Sequence, residues 1–167
     1  MANAGLGALR ILVIDDSREM CTIVGTVLSA AGVGHLHYAQ DGRRGLEVMA
    51  SYSVDAAYVD HEMPGMNGLE FIRAVRSMEG SVRYMPIIML TGHSDEKHLN
   101  QARDIGVTEF LCKPVTAKAI LTRLNAVIMD PRPFVMTDSF FGPDRRRTRR
   151  QDYSGPMRRA ADLRETG

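Results

Sequence analysis

Four short apolar runs mark the first two thirds of the chain, and each ends in a polar or charged residue. Ile11-Leu12-Val13-Ile14 leads to Asp15-Asp16, and Ala56-Ala57-Tyr58-Val59 leads to Asp60. Pro86-Ile87-Ile88-Met89-Leu90 leads to Thr91, and Phe110-Leu111-Cys112 leads to Lys113. Unbroken apolar runs of this length predict strands buried on both faces. A fifth, weaker strand fits His35 to Ala39. Between the runs apolar residues recur with a period of about 3.6. Met20, Ile23, Val24, Val27, Leu28 and Ala31 line one face of a first helix, capped by Asp16 or Ser17 and stopped by Gly32 or Gly34. A second helix starts near Asp41-Gly42 and carries Leu46, Val48 and Met49, and a third carries Leu69, Ile72 and Val75. A polar fourth, capped by Ser94 or Asp95, offers Leu99, Ala102 and Ile105, and a fifth carries Ile120, Leu121, Leu124, Val127 and Ile128.

Strict alternation of strand and helix predicts an α/β, doubly wound (βα)5 fold, with a five-stranded parallel sheet and helices on both faces. The pattern divides the chain into a flexible N-terminus at 1–8, a domain at 9–129 and an extension at 130–167. The extension holds Pro131, Pro133, Pro143 and Pro156 with few aliphatic residues, which predicts extended or disordered chain. Charge separates the same two parts. Residues 1–129 hold 12 Lys+Arg against 14 Asp+Glu, whereas 130–167 hold 9 Arg against 6 Asp+Glu. No apolar stretch approaches the roughly 20 residues of a membrane span. The N-terminus lacks the basic and apolar regions of a signal peptide. Two cysteines without metal-type spacing, Cys21 and Cys112, read as ordinary buried residues of a reduced, cytoplasmic chain.

In an open parallel sheet, ligands bind at the carboxyl ends of the strands. The predicted topology therefore converges Asp15, Asp16, Asp60, Thr91 and Lys113 on one spot. Clustered carboxylates suit a hard divalent ion, Mg2+ or Mn2+, which takes oxygen ligands and keeps several waters. The backbone carbonyl of Glu62 is the natural additional ligand. An Asp can accept a phosphoryl group as an acyl phosphate, and Asp60, alone at a central strand end, is the better nucleophile. Lys113 would pair with one phosphoryl oxygen and Thr91 would donate to another, while Gly92 lets a backbone N–H come close. Such a site works by positioning and electrostatics. Taken singly, each residue has an ordinary structural reading: a cap, a turn carboxylate, an exposed strand-end lysine.

Together, Asp15-Asp16, Asp60 with Met63-Pro64-Gly65-Met66-Asn67-Gly68, Thr91, and Phe110-Leu111-Cys112-Lys113-Pro114 resemble the receiver domain of bacterial two-component response regulators, the single-domain chemotaxis type in particular. The resemblance covers residues 9–129 and implies a flavodoxin-like fold and a stand-alone regulator. It implies that Asp60 takes a phosphoryl group from a phosphohistidine on a sensor histidine kinase or histidine phosphotransfer protein. It implies that Asp15 and Asp16 hold magnesium, that Lys113 and Thr91 contact the phosphoryl group, and that Phe110 is a switch aromatic coupled to Thr91. Glu62 and His93 occupy the two side positions that border the hydrolytic water in that family, so they are expected to set the phosphate's lifetime. The output implied is altered protein binding through the face of helix four, strand five and helix five, without enzymatic turnover of other substrates. A haloacid-dehalogenase-like phosphatase is disfavoured, because it places its nucleophile in a DxD arrangement after strand one.

The extension remains outside that resemblance. Phe134, Phe140 and Phe141, flanked by Arg145, Arg146 and Arg147, read as a linear docking motif for a downstream protein. Nucleic acid is not an expected partner: no helix-turn-helix, zinc or RNP pattern accompanies the arginines, and six acidic residues dilute them. Arg145 and Arg149 share the RxxxR spacing of PilZ domains, but 38 residues of this composition do not contain that barrel's strands.

Overall fold

The computed structural model describes residues 5–92 and 96–145. Five strands form one parallel sheet: β1 (Arg10–Ile14), β2 (His35–Ala39), β3 (Ala56–Asp60), β4 (Ile87–Thr91) and β5 (Glu109–Cys112), in the order β2-β1-β3-β4-β5. They alternate with α1 (Arg18–Ala30), α2 (Gly42–Ser51), α3 (Gly68–Arg76), α4 (Glu96–Ile105) and α5 (Ala117–Met129). The doubly wound α/β fold is therefore as predicted.

Strand alternation splits the core in two. Ile11, Val13, Tyr58, Ile88, Leu90 and Leu111 face α1 and α5, meeting Val24, Leu28, Ile120, Leu124 and Val127. Leu12, Ile14, Val59, Ile87 and Met89 face the other way, against Phe71, Ile72, Val75 and Ala102. Tyr58 is fully buried, and its hydroxyl donates to the Ile120 carbonyl oxygen at 2.8 Å, so the polar end of a core ring is satisfied.

The helix starts follow their side chains. Ser17, Asp41 and Thr116 each accept a backbone N–H of the first turn, and Asn67 forms a reciprocal capping box with Glu70. Gly68 is fixed by contact: a Cβ there would lie 2.3 Å from the Asp60 carbonyl oxygen. The loop after β3 can thus fold back tightly on it.

Several expectations are corrected. Ile23, placed on the core face of the first helix, is 39% exposed, and Gly25 and Cys21 take that face with Val24 and Leu28. Cys112 is exposed, because β5 alternates and its last residue clears the core, whereas Cys21 is buried as expected. The described part of the extension is neither disordered nor merely extended. Phe134–Met136 (β6) and Phe141–Pro143 (β7) form an antiparallel hairpin packed on the domain. The predicted caps Ser94 and Asp95, and residues beyond Arg145, lie outside the described residues.

Candidate functional site

Parallel register carries the carboxyl ends of β1, β3, β4 and β5 to one edge of the sheet. Ile14 pairs with Val59, Asp60 with Leu90, and Thr91 with Cys112, so Asp15, Asp60, Thr91 and Lys113 become neighbours. Asp15 is fully buried and Asp60 is 5% exposed, while Asp16 lies on the solvent side. One carboxylate oxygen from each of the three falls within 4.8 Å of the others. Lys113 reaches in from beyond β5, its Nζ donating to Asp60 Oδ1 at 2.8 Å and lying 3.7 Å from Asp15 Oδ2.

The electrostatics are those of a crowded acidic pocket. Burial pushes the Asp15 carboxyl up to about 6; the Ser17 amide opposes this and the Asp60 charge adds to it. Asp60 is also raised by burial, against the hydrogen bond and charge of Lys113. Burial alone would lower Lys113, but the hydrogen bond and charge of Asp60, followed by Asp15, hold it above its ordinary value. Asp15 Oδ1 accepts the Ser17 N–H at 2.9 Å, yet buried Oδ2 makes no hydrogen bond. An orphaned buried carboxylate oxygen beside two more carboxylates is a fitting donor set for a hard divalent cation.

A pH dependence follows with a definite sign. A carboxyl raised in the folded state binds its proton more tightly than in the unfolded chain, so protonation stabilises the fold. This contribution is complete below the ordinary value of 3.8 and lost as pH rises through about 6. Asp15 is thus expected to make the metal-free protein melt higher at about pH 5 than at about pH 7, and the difference should shrink with magnesium. Thermal melts of wild type and Asp15→Asn check it. An equal pH difference in both proteins would refute the assignment to Asp15.

Thr91 is 2% exposed, with Oγ1 3.5 Å from His61 Nδ1. Alternation puts Thr91 on the same sheet face as Met89, and Met89 pairs with Phe110. Phe110 is half-buried against that face, with the Arg103 guanidinium 5.6 Å from its ring centre. Thr91 and Phe110 thus share the side covered by α4. Glu62, two residues after Asp60, is exposed. His93, Arg146 and Arg147 lie outside the described residues. Histidines that look scattered along the sequence come together here: the rings of His61 and His98 meet edge to face at 6.0 Å, next to Glu62 in one groove. The only sequence signal for His61 was its place immediately after Asp60.

The aromatic residues read as docking anchors are engaged within the chain itself. Phe134 and Phe141 pack on each other and on Tyr84, and Phe140 lies beneath Arg145. They stand at the amino-terminal ends of β4 and β5, opposite the carboxylates.

Known proteins share this arrangement of elements. The family model described as the response regulator receiver domain matches residues 11–125 and stops short of the hairpin. The chemotaxis protein CheY of Pseudomonas aeruginosa is 29% identical over 119 residues, covering 71% of this chain and 95% of that protein. The response regulator MprA of Mycolicibacterium vanbaalenii is 34% identical over 125 residues, covering 75% of this chain but 52% of that protein. Among solved structures, the chemotaxis response regulator CheY4 of Vibrio cholerae superposes with a TM-score of 0.67 at 32% identity, over 72% of this chain and 98% of that one. No helix among the described residues is long and apolar enough to cross a membrane.

Proposed function

The chain belongs to the response regulator receiver domain family, and on that premise we propose that Asp60 is its phospho-acceptor and Lys113 the cation that receives the phosphoryl charge. Receiver domains are phospho-acceptor switches of two-component signalling, served by histidine kinases or phosphotransfer proteins, and they bind Mg2+ at an acidic pocket. The observation that carries the assignment is the 2.8 Å contact of Lys113 Nζ with Asp60 Oδ1 inside the three-carboxylate cluster.

An Asp60 oxygen attacks phosphorus in line; the P–O bond forms as the P–N bond to histidine breaks, and imidazole leaves. Lys113, already on that carboxylate, follows the charge onto a phosphoryl oxygen. Asp15, Asp16 and Asp60, with the Glu62 carbonyl, would hold a magnesium or manganese ion that neutralises charge on the incoming group. Thr91 leaves His61 to donate to a second phosphoryl oxygen, and Phe110, on the same face, turns into the space released. The surface of α4, β5 and α5 changes as a two-state element biased by a local charge. Glu62 and His93 flank the path of the hydrolytic water and tune the lifetime. The chain acts in the cytoplasm as a switch for a downstream protein.

Intact-protein mass after exposure to acetyl phosphate or phosphoramidate tests the assignment. One magnesium-dependent phosphoryl adduct is expected on wild type and none on Asp60→Asn. An adduct that persists in Asp60→Asn would move the acceptor elsewhere.

A further inference from the structure

The C-terminal hairpin grips a specific part of the domain. Phe134 and Phe141 lie 5.3 Å apart and stand 5.0 and 5.4 Å from Tyr84. The guanidinium of Arg76 covers the first ring at 5.0 Å and that of Arg83 the second at 3.7 Å. The backbone of β7 runs against the turn between α4 and β5: a Cβ on Gly142 would fall 2.8 Å from Gly106 Cα. Two ion pairs complete the attachment. Arg145 bonds Asp104 in the last turn of α4 at 2.8 Å, and Arg132 bonds Glu109, the first residue of β5. Glu109 is 8% exposed and is also faced by Arg123 of α5 at 3.7 Å.

Asp104, Gly106 and Glu109 lie on, or next to, the elements that move in the switch proposed above, while Arg76, Arg83 and Tyr84 hold the aromatic side of the hairpin at the end of α3 and before β4. Glu109 immediately precedes Phe110, and Asp104 immediately follows Arg103, whose guanidinium faces the Phe110 ring. The strap is docked in the arrangement where Asp60 bonds Lys113 directly and Thr91 faces His61. A segment that binds one of two conformations better must shift the equilibrium toward it, and the coupling is reciprocal.

We propose that the hairpin is an in-chain effector of the switch: its docking and phosphorylation of Asp60 oppose one another, so that phosphorylation loosens the strap. This inference rests on the phospho-acceptor reading. It goes beyond that reading in placing a regulatory element on residues 132–145, beyond the span that the family model covers.

The test uses the full chain with beryllofluoride and magnesium as the phosphoryl mimic. Hydrogen exchange followed by mass spectrometry is expected to show protection around 60–68 and, in the same sample, faster exchange at 134–143. Asp104→Arg, at an exposed position, breaks the ion pair without touching the core. It should bind beryllofluoride more tightly, by roughly fivefold, at the low end of allosteric couplings. Combining it with Arg145→Asp restores the pair with reversed polarity and should return the affinity to that of wild type. Protection at 60–68 with unchanged exchange at 134–143, and unchanged affinity in Asp104→Arg, would overturn the coupling and leave the acceptor reading standing. Absence of protection at 60–68 would sink both.

Discussion

Replacing Lys113 with alanine is expected to slow magnesium-dependent phosphoryl uptake by ~10²–10³-fold, the usual cost of removing one preorganised donor from a developing charge. The ammonium already rests 2.8 Å from Asp60 Oδ1, so it would need no reorganisation to follow the charge onto a phosphoryl group there. The same change should act on stability, because Lys113 lies within 4 Å of both Asp15 and Asp60, two carboxylates almost wholly buried. Removing one partner of a buried pair costs about 3–5 kcal/mol when both are enclosed. Lys113 is partly solvated, with 29% of its side chain exposed, which places the loss nearer ~2 kcal/mol. Magnesium should return much of that, so the metal-induced rise in melting temperature is expected to be larger in Lys113→Ala than in wild type. Adduct formation over time and paired melts measure the two effects separately. A rate within a factor of about two of wild type would exclude Lys113 from the phosphoryl charge.

The convergence of these residues was legible because parallel sheets place strand-end side chains where the sequence is easiest to read. β1, β3 and β4 are buried along nearly their whole length and show up as unbroken apolar runs, and the residues just past them are confined to one edge. Asp15, Asp60, Thr91 and Lys113 needed only the fold class to be brought together. What escaped depends on contacts between distant segments. The strands of the hairpin are three residues each, too short to show a period. Their order comes from Tyr84, Arg76 and Arg83, some fifty to sixty residues earlier in the chain. Proline and arginine, which suggested an open tail, serve here a small sheet whose apolar face is aromatic and whose ends are pinned by ion pairs. His61 and His98 were equally hidden, since only the approach of α4 to the loop after β3 makes them neighbours.

Arg76→Leu is the substitution expected to unsettle the opposite end of the sheet most. Arg76 is 5% exposed, and its guanidinium donates to the carbonyl oxygens of Gly106, Arg83 and Met85 at 3.0, 2.8 and 2.7 Å. A longer contact of 3.4 Å reaches Thr108 Oγ1, which itself accepts the Ile87 N–H at 2.9 Å. One planar fork therefore ties the end of α3, the turn before β4 and the start of β5 together. Burial lowers its pKa to about 10, which leaves it charged at neutral pH, spread over carbonyl dipoles with the Phe134 ring as a lid. Leucine fills part of the volume but leaves three acceptors without a donor, at about 1–3 kcal/mol each where water cannot replace it. The expected loss is on the order of 4 kcal/mol, a drop in melting temperature of roughly 10–15 °C for a domain of this size. Arg76→Lys should recover only a fraction, because one ammonium cannot span three divergent carbonyls. Exchange at 134–143 should accelerate in both variants, since the hairpin rests on that guanidinium. A melting temperature within about two degrees of wild type would show that water satisfies these carbonyls. Faster exchange at 134–143 accompanying that loss would mean that the folded unit extends into the hairpin, because the cation that closes the base of the sheet is itself closed over by Phe134.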